Sequence, residues 1–345
     1  MRASKLKLAI LCSFVGIMLA AFTADTTPPE IRFTIPAGWP APTYNFSKNP
    51  LTLSGFKLGR RLFFDPTLSR DSSTSCASCH LQFTGFTHVD HPLSHGINGL
   101  KGNRNSLTLF NLAWSKSFMW DGGVNNLEVQ PISPITNPVE MDNTMANVVA
   151  TLKRSPVYRA KFAEAFGDTA ITGQRVLKAL AQFTVMLESY NSKYDKYIRN
   201  EPGDKMTPGE LHGLALFNAH CSGCHSGPLF TNNGFENNGL PEDSELHDTG
   251  RMKITQNRND SLKFKVPSLR NVAVSYPYMH DGRFHTLEAV IDHYTSGIVP
   301  TPTLSKLLQK PIVLSPADKK DLIDFLKTLT DREFLFDMRF RNYVD

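Results

Sequence analysis

The chain has 345 residues, 41% of them hydrophobic, with 22 glycines and 22 prolines. That length allows two domains with cores of their own, the composition excludes a disordered chain, and the Gly and Pro content implies short helices joined by many loops. The formal charge of +5 owes three units to Arg2, Lys5 and Lys7, leaving +2 beyond residue 24 with no long basic run, which argues against nucleic acid as a partner.

The predicted elements begin with a targeting segment. Arg2, Lys5 and Lys7 form a positive start, residues 8–22 are apolar, and Ala20, Ala21, Thr23 and Ala24 are small residues near a cleavage point. The apolar run is short for a bilayer span, so residues 1–24 are expected to be a cleaved signal peptide rather than an anchor, and the mature chain to be periplasmic. Next, "LSGFKLGRRLFFD" carries Leu53, Phe56, Leu58, Leu62 and Phe63 at helical spacing, ahead of "SCASCH" at 75–80. Residues 144–153, 158–166 and 174–190 read as helices. The last has Val176, Leu177, Leu180, Phe183, Val185 and Leu187 on one broad face. Thr207-Pro208-Gly209-Glu210 places Thr at an N-cap, Pro at the first helical position and Glu at the capping-box position of a helix that runs into "HCSGCH" at 220–225. Ser315-Pro316-Ala317-Asp318 caps a final helix carrying Leu322, Ile323, Phe325, Leu326 and Leu329. Glycine- and asparagine-rich stretches at 96–105 and 232–239 read as loops, and strand signals are sparse. "LGRRLFFD" and "HGLALFNA" are weakly alike and stand at the same place relative to the two cysteine motifs.

Those motifs use every cysteine after the targeting segment: Cys76, Cys79, Cys221 and Cys224. A zinc site needs four ligands, and a histidine directly after the second Cys is poorly placed as one of them. A redox disulfide needs no such histidine. Covalent haem attachment accounts for all three residues of C-x-x-C-H: two thiols add to the vinyl groups, and the following imidazole is carried under the porphyrin as proximal iron ligand. The chain is therefore expected to hold two c-type haems, with His80 and His225 as proximal ligands. The expected fold is mainly α, in two cytochrome c-like domains at 25–200 and 201–345, each with one covalently attached haem.

Around these motifs stand "KGNRNSLTLFN", "FMWDGGVNNLE", "NPVEMD", "FKVPSLRNVA" and "YPYMHDGRFHTLEAV", in that order. Over about residues 50–335 the sequence resembles the bacterial dihaem cytochrome c peroxidases and the related MauG-type dihaem enzymes. The resemblance implies that the haem on His80 is the peroxide site and that the haem on His225 transfers electrons. It matches Glu140 to the catalytic acid/base, Trp120 to the tryptophan between the haems, and Gln130 and Pro134 to residues lining the distal pocket. It matches His95 to a distal iron ligand, with His88 and His91 as neighbouring alternatives. It implies a calcium ion held at Asn105, Ser275 and Pro277. The sequence departs from the peroxidases at the distal position of the second haem, where they place a Met: counting from His280 the residue is Tyr294, as in MauG-type enzymes, with Met279 as the alternative ligand.

The implied function is reduction of hydrogen peroxide to water with electrons from a small periplasmic cytochrome c or cupredoxin, with a homodimer as a further implied state. Two other readings stand beside it. A MauG-like enzyme would oxidise a protein or organic substrate; Tyr294 favours it, and a ligating His95 disfavours it, because MauG-type pockets leave that iron open. A non-enzymatic dihaem electron-transfer cytochrome would need neither Glu140 nor an open iron.

Overall fold

Helices dominate the computed structural model, which describes residues 31–203 and 205–342. Helix α1 (Leu53–Phe64) precedes α2 (Cys76–Cys79); α3 (Ile132–Thr136), α4 (Met145–Arg154), α5 (Pro156–Phe166), α6 (Gly173–Thr184) and α7 (Lys193–Ile198) follow. The rest are α8 (Pro208–His220), α9 (Met252–Thr255), α10 (Leu287–Asp292), α11 (Pro316–Lys327) and α12 (Arg332–Leu335). The only sheet among the described residues pairs β1 (Phe235–Glu236) antiparallel with β2 (Phe264–Lys265). Among these residues no helix is long and apolar enough to cross a membrane. The expected signal peptide lies outside the described residues.

The caps follow the local chemistry. Thr207 accepts from the Glu210 N–H while Glu210 reaches back to the Thr207 N–H, and Pro208 fills a position where no donor is needed. Ser315 and Asp318 do the same for α11. Helix α4 starts at the Thr144 cap, and α5 starts at Pro156. One expectation is corrected: the periodicity over 174–190 continues past Thr184, but α6 stops there. Asn111 takes over the following backbone. Its N–H donates to Leu187 O (2.8 Å), its Nδ2 to Ser189 O (2.9 Å), and its Oδ1 accepts from the Ser189 N–H (2.9 Å). A tertiary contact thus outweighs helical periodicity. The two predicted loops also hold short regular pieces, a 3₁₀ turn at Ile97–Gly99 and strand β1.

Two hydrophobic cores share one construction. In the first, α1 crosses α6 so closely that a Cβ on Gly59 would lie 1.9 Å from Ala179 O; in the second, α8 crosses α11 and a Cβ on Gly213 would lie 2.0 Å from Asp321 O. Only glycine permits such an approach. Four residues beyond each struck carbonyl is a phenylalanine, packed against the one four residues past each glycine: Phe63–Phe183 at 5.1 Å and Phe217–Phe325 at 5.2 Å between ring centroids. Phe86 and Phe230 complete the two aromatic clusters. Asn271 repeats the clamp of Asn111, its N–H donating to Leu329 O (3.0 Å) and its Oδ1 accepting from the Asp331 N–H (2.8 Å). The chain closes by returning to its start, with Phe334, Leu335 and Phe340 buried in the first core.

Where the two cores meet, the same symmetry appears as an exchange. The Asn105 N–H donates to His280 O and the Lys265 N–H donates to Trp120 O, both at 2.7 Å. The residues of each pair of equivalents, 105 and 265 or 120 and 280, are 160 positions apart. Residues 118–124 and 278–284 form matching turns. Phe118 and Tyr278 donate to Val124 and Phe284 at 2.7 Å, and Met119, Gly122, Met279 and Gly282 all have positive φ.

Candidate dihaem site

Each C-x-x-C-H sits where a helix turn ends. Cys76 and Cys79 bound the single turn of α2, and the His80 N–H closes on Cys76 O (3.0 Å). Cys221 caps α8, and the His225 N–H closes on Cys221 O (2.9 Å). Both cysteines and the histidine are thereby gathered on one turn. All four thiols are unpaired. Burial pushes Cys76 and Cys221 up to about 12, and Cys79 and Cys224 up to about 11, so the sulfurs are neutral thiols.

The two imidazoles are prepared alike. His80 Nδ1 faces Phe86 O at 2.7 Å; His225 Nδ1 faces Pro267 O at 3.1 Å and Phe230 O at 3.2 Å. A carbonyl only accepts, so each Nδ1 carries the proton and each Nε2 keeps its lone pair. Burial pulls both pKa values down to about 4, so the rings are neutral at pH 7. A neutral imidazole with Nδ1 tied to backbone carbonyl is the donor set that metal-binding histidines use.

A cavity of about 230 Å³ opens beside the second motif. Cys221, Cys224 and His225 line it, with apolar walls from Val272, Leu287, Ile291, Leu322 and Leu326. Two thiols, an available Nε2 and apolar walls on one cavity fit a covalently held haem. Tyr294 and Met279 both line this cavity. Tyr294 stands in a π-helical turn (His293–Gly297) that continues α10. Burial raises its pKa to about 12, with Asn238 opposing the rise and Cys221 and Cys224 adding to it. Met279 takes its place through a positive φ of 76° and accepts from Asn238 Nδ2 at 3.3 Å. Asn238 thus touches both candidate distal ligands. It was not singled out in the sequence, where it is one of several asparagines in a glycine-rich stretch.

Near the first motif, Glu140 lies against the 95–97 segment. Ile97 N–H donates to Glu140 O (2.8 Å), and a Cβ on Gly96 would come within 2.3 Å of the Glu140 backbone. The carboxyl accepts from Asn137 Nδ2 at 2.7 Å; burial raises its pKa and this bond only partly opposes the rise. Its charge is felt at both Cys76 and Cys79. Met141 beside it is buried. Cys79 Sγ donates to His95 O at 3.2 Å, so His95 is part of this neighbourhood through its backbone. Its ring stacks on His91 (4.3 Å), which stacks on His88 (4.3 Å), in a column of three imidazoles. Both nitrogens of His88 are engaged, with Ser106 Oγ (2.8 Å) and His91 O (2.9 Å). Gln130 reaches Met119 Sδ at 3.7 Å, and Pro134 follows in α3.

Trp120 is buried. It lines the cavity of the second motif, and its Nε1 donates to Asn105 O at 2.8 Å. Asn105 heads the 105–108 segment, which lines the same cavity and whose Leu107 backbone acts on His80 electrostatically. Asn105, Ser275 and Pro277 share that cavity wall; among the described residues no group of three or more His, Cys, Asp or Glu is placed to hold a metal ion. Arg104, next in the chain, ties the halves together. Its guanidinium is bidentate to Asp248 (2.6 and 3.0 Å) and also bonds Asp121 (2.5 Å). The Arg104–Asp248 pair spans 144 residues, and neither partner's neighbours signal it.

A family profile described as di-haem cytochrome c peroxidase matches residues 54–203. The chain is 36% identical to the methylamine utilization protein MauG of Methylophilus methylotrophus, over 93% of this chain and 94% of that one. It is 35% identical to the cytochrome c551 peroxidase of Nitrosomonas europaea, over 79% of each. Among solved structures, a MauG-like protein associated with microbial copper homeostasis superposes with a TM-score of 0.82 at 33% identity, covering 90% of this chain and 99% of that one. The paired motifs, the neutral imidazoles and the shared architecture agree with these likenesses: the chain belongs to the di-haem cytochrome c peroxidase and MauG family of oxidoreductases.

Proposed function

We propose that this is an exported enzyme that reduces hydrogen peroxide to two waters, taking up two electrons and two protons, with one haem c on Cys76, Cys79 and His80 and another on Cys221, Cys224 and His225. Bound haem iron would supply the redox chemistry and, at the first site, a coordination position for peroxide. Glu140 then moves the proton, taking it from one peroxide oxygen and returning it to the leaving one. Its half-buried carboxyl, whose pKa burial raises beside the Cys76–Cys79 turn, is the observation that carries the reading. Asn137 holds the carboxyl in place. Trp120 and the 105–108 segment provide a protein path between the two motifs, and electrons enter through the second site from a small cytochrome c or cupredoxin. Asn105, Ser275 and Pro277 would hold a calcium ion on that path. His95 is proposed as a displaceable distal ligand at the first site.

A second reading is favoured by Tyr294, which faces the cavity of His225 where the peroxidases have a methionine. In it, the electrons come from a protein or organic substrate. Steady-state assays separate the two. The peroxidase reading expects peroxide-dependent oxidation of a reduced small cytochrome, two equivalents per peroxide. Peroxide consumption that leaves such donors reduced would overturn it in favour of the MauG-like reading.

A further inference from the structure

The wall of the second cavity contains one lysine and no arginine. Lys265 sits in β2, and its backbone is held from two sides: its N–H donates to Trp120 O at 2.7 Å, and it pairs with Phe235 across the two-stranded sheet. Its side-chain Nζ donates to Asn233 Oδ1 at 3.1 Å, and among the described residues no carboxylate forms an ion pair with it. Glu236, the one carboxylate in the cavity wall, is not its partner. Burial pulls the amine down to about 8. An ammonium in a largely apolar cavity without a counter-charge is costly, and such groups are retained where an anion completes them.

The occupant read for this cavity brings that anion. A haem carries two propionate carboxylates, which need donors wherever they leave water. We propose that Lys265 is the binding residue for a propionate of the porphyrin attached at Cys221 and Cys224. The proposal rests on the haem reading above and adds to it the residue that receives the porphyrin's charged edge. It also gives meaning to a break in symmetry: Asn105 is the equivalent of Lys265 in the exchange of backbone bonds between the halves, yet it is neutral. The second porphyrin is thus given a fixed positive charge from a position where the first half has an amide.

A fixed positive charge near iron stabilises the ferrous state relative to the ferric. Lys265→Met is therefore expected to lower the reduction potential of the second haem and to shift its propionate bending band in resonance Raman spectra. Lys265→Arg, which keeps the charge, should leave the potential near that of the parent. If Lys265→Met does not accumulate, Lys265→Gln, which retains a donor for Asn233, takes its place with the same expected shift. A variant with two haems and an unchanged potential and propionate band overturns the proposal. A parent protein lacking haem on Cys221 and Cys224 overturns the haem reading and this proposal with it, and a haem count distinguishes that outcome from the first.

Discussion

Gly59 and Gly213, Phe183 and Phe325, Asn111 and Asn271 have the same tasks in the two halves: a close helix crossing, an aromatic plug behind it, and a side-chain clamp on the backbone that follows. Trp120 and His280, or Asn105 and Lys265, occupy equivalent places with unlike side chains. The first group lies in the cores, where volume and backbone hydrogen bonds decide what is tolerated. The second lies where the halves exchange backbone bonds, and there the side chains differ in charge and shape. The carboxyl of Glu140 marks the first motif, and the phenol of Tyr294 marks the second. The scaffold is therefore shared, and the two motifs differ in a few side chains placed beside them.

The largest expected effect breaks the chemistry of one half alone. Glu140→Gln keeps the shape and the contact with Asn137 but removes the proton carrier, so peroxide turnover should fall about 10²–10⁴-fold. Both haem spectra should stay near those of the parent; turnover within twofold would remove Glu140 from the mechanism. The next tests what distinguishes the second half. Tyr294→Met should raise the potential of that haem, because a thioether favours ferrous iron and a phenolate favours ferric. Spectroelectrochemistry reads it directly, and an unchanged potential and spectrum would mean that Tyr294 is not the ligand. The smallest effect probes what the halves share. Gly59→Ala and Gly213→Ala each force a Cβ onto a carbonyl and should each cost about 1–3 kcal/mol of stability. Denaturation of the haem-loaded protein measures both, and a loss confined to one variant would show that the two crossings are not equivalent.

Much of this was legible in the sequence because it rests on short-range chemistry. Thr207 with Glu210, and Ser315 with Asp318, announce helix starts through side chains three residues apart. The two C-x-x-C-H motifs announce their use through spacing alone. "LGRRLFFD" and "HGLALFNA" are weakly alike at the same place before each motif, and the crossings at Gly59 and Gly213 give that likeness a structural meaning. What the sequence concealed depends on long-range pairing. The early end of α6 is imposed by Asn111 from 78 residues away. The second repeat, Phe118–Val124 with Tyr278–Phe284, stood in two quoted motifs, but Trp120 against His280 disguised it. Asn238 is one amide among several until Tyr294 and Met279 are both seen beside it. Arg104 finds Asp248 only after the halves have met.

The exchange of bonds between Asn105 and His280 and between Lys265 and Trp120 is the contact expected of two identical subunits related by a twofold axis, here written into a single polypeptide. In a symmetric dimer every substitution is made twice, so an improvement at one site that harms the other cannot be kept. Joining the copies end to end removes that coupling. Each position of the contact can change alone, and the partner is always present at a fixed effective concentration. A lysine can then stand opposite an asparagine, and a tryptophan opposite a histidine, so that a symmetric backbone contact carries an asymmetric pair of sites.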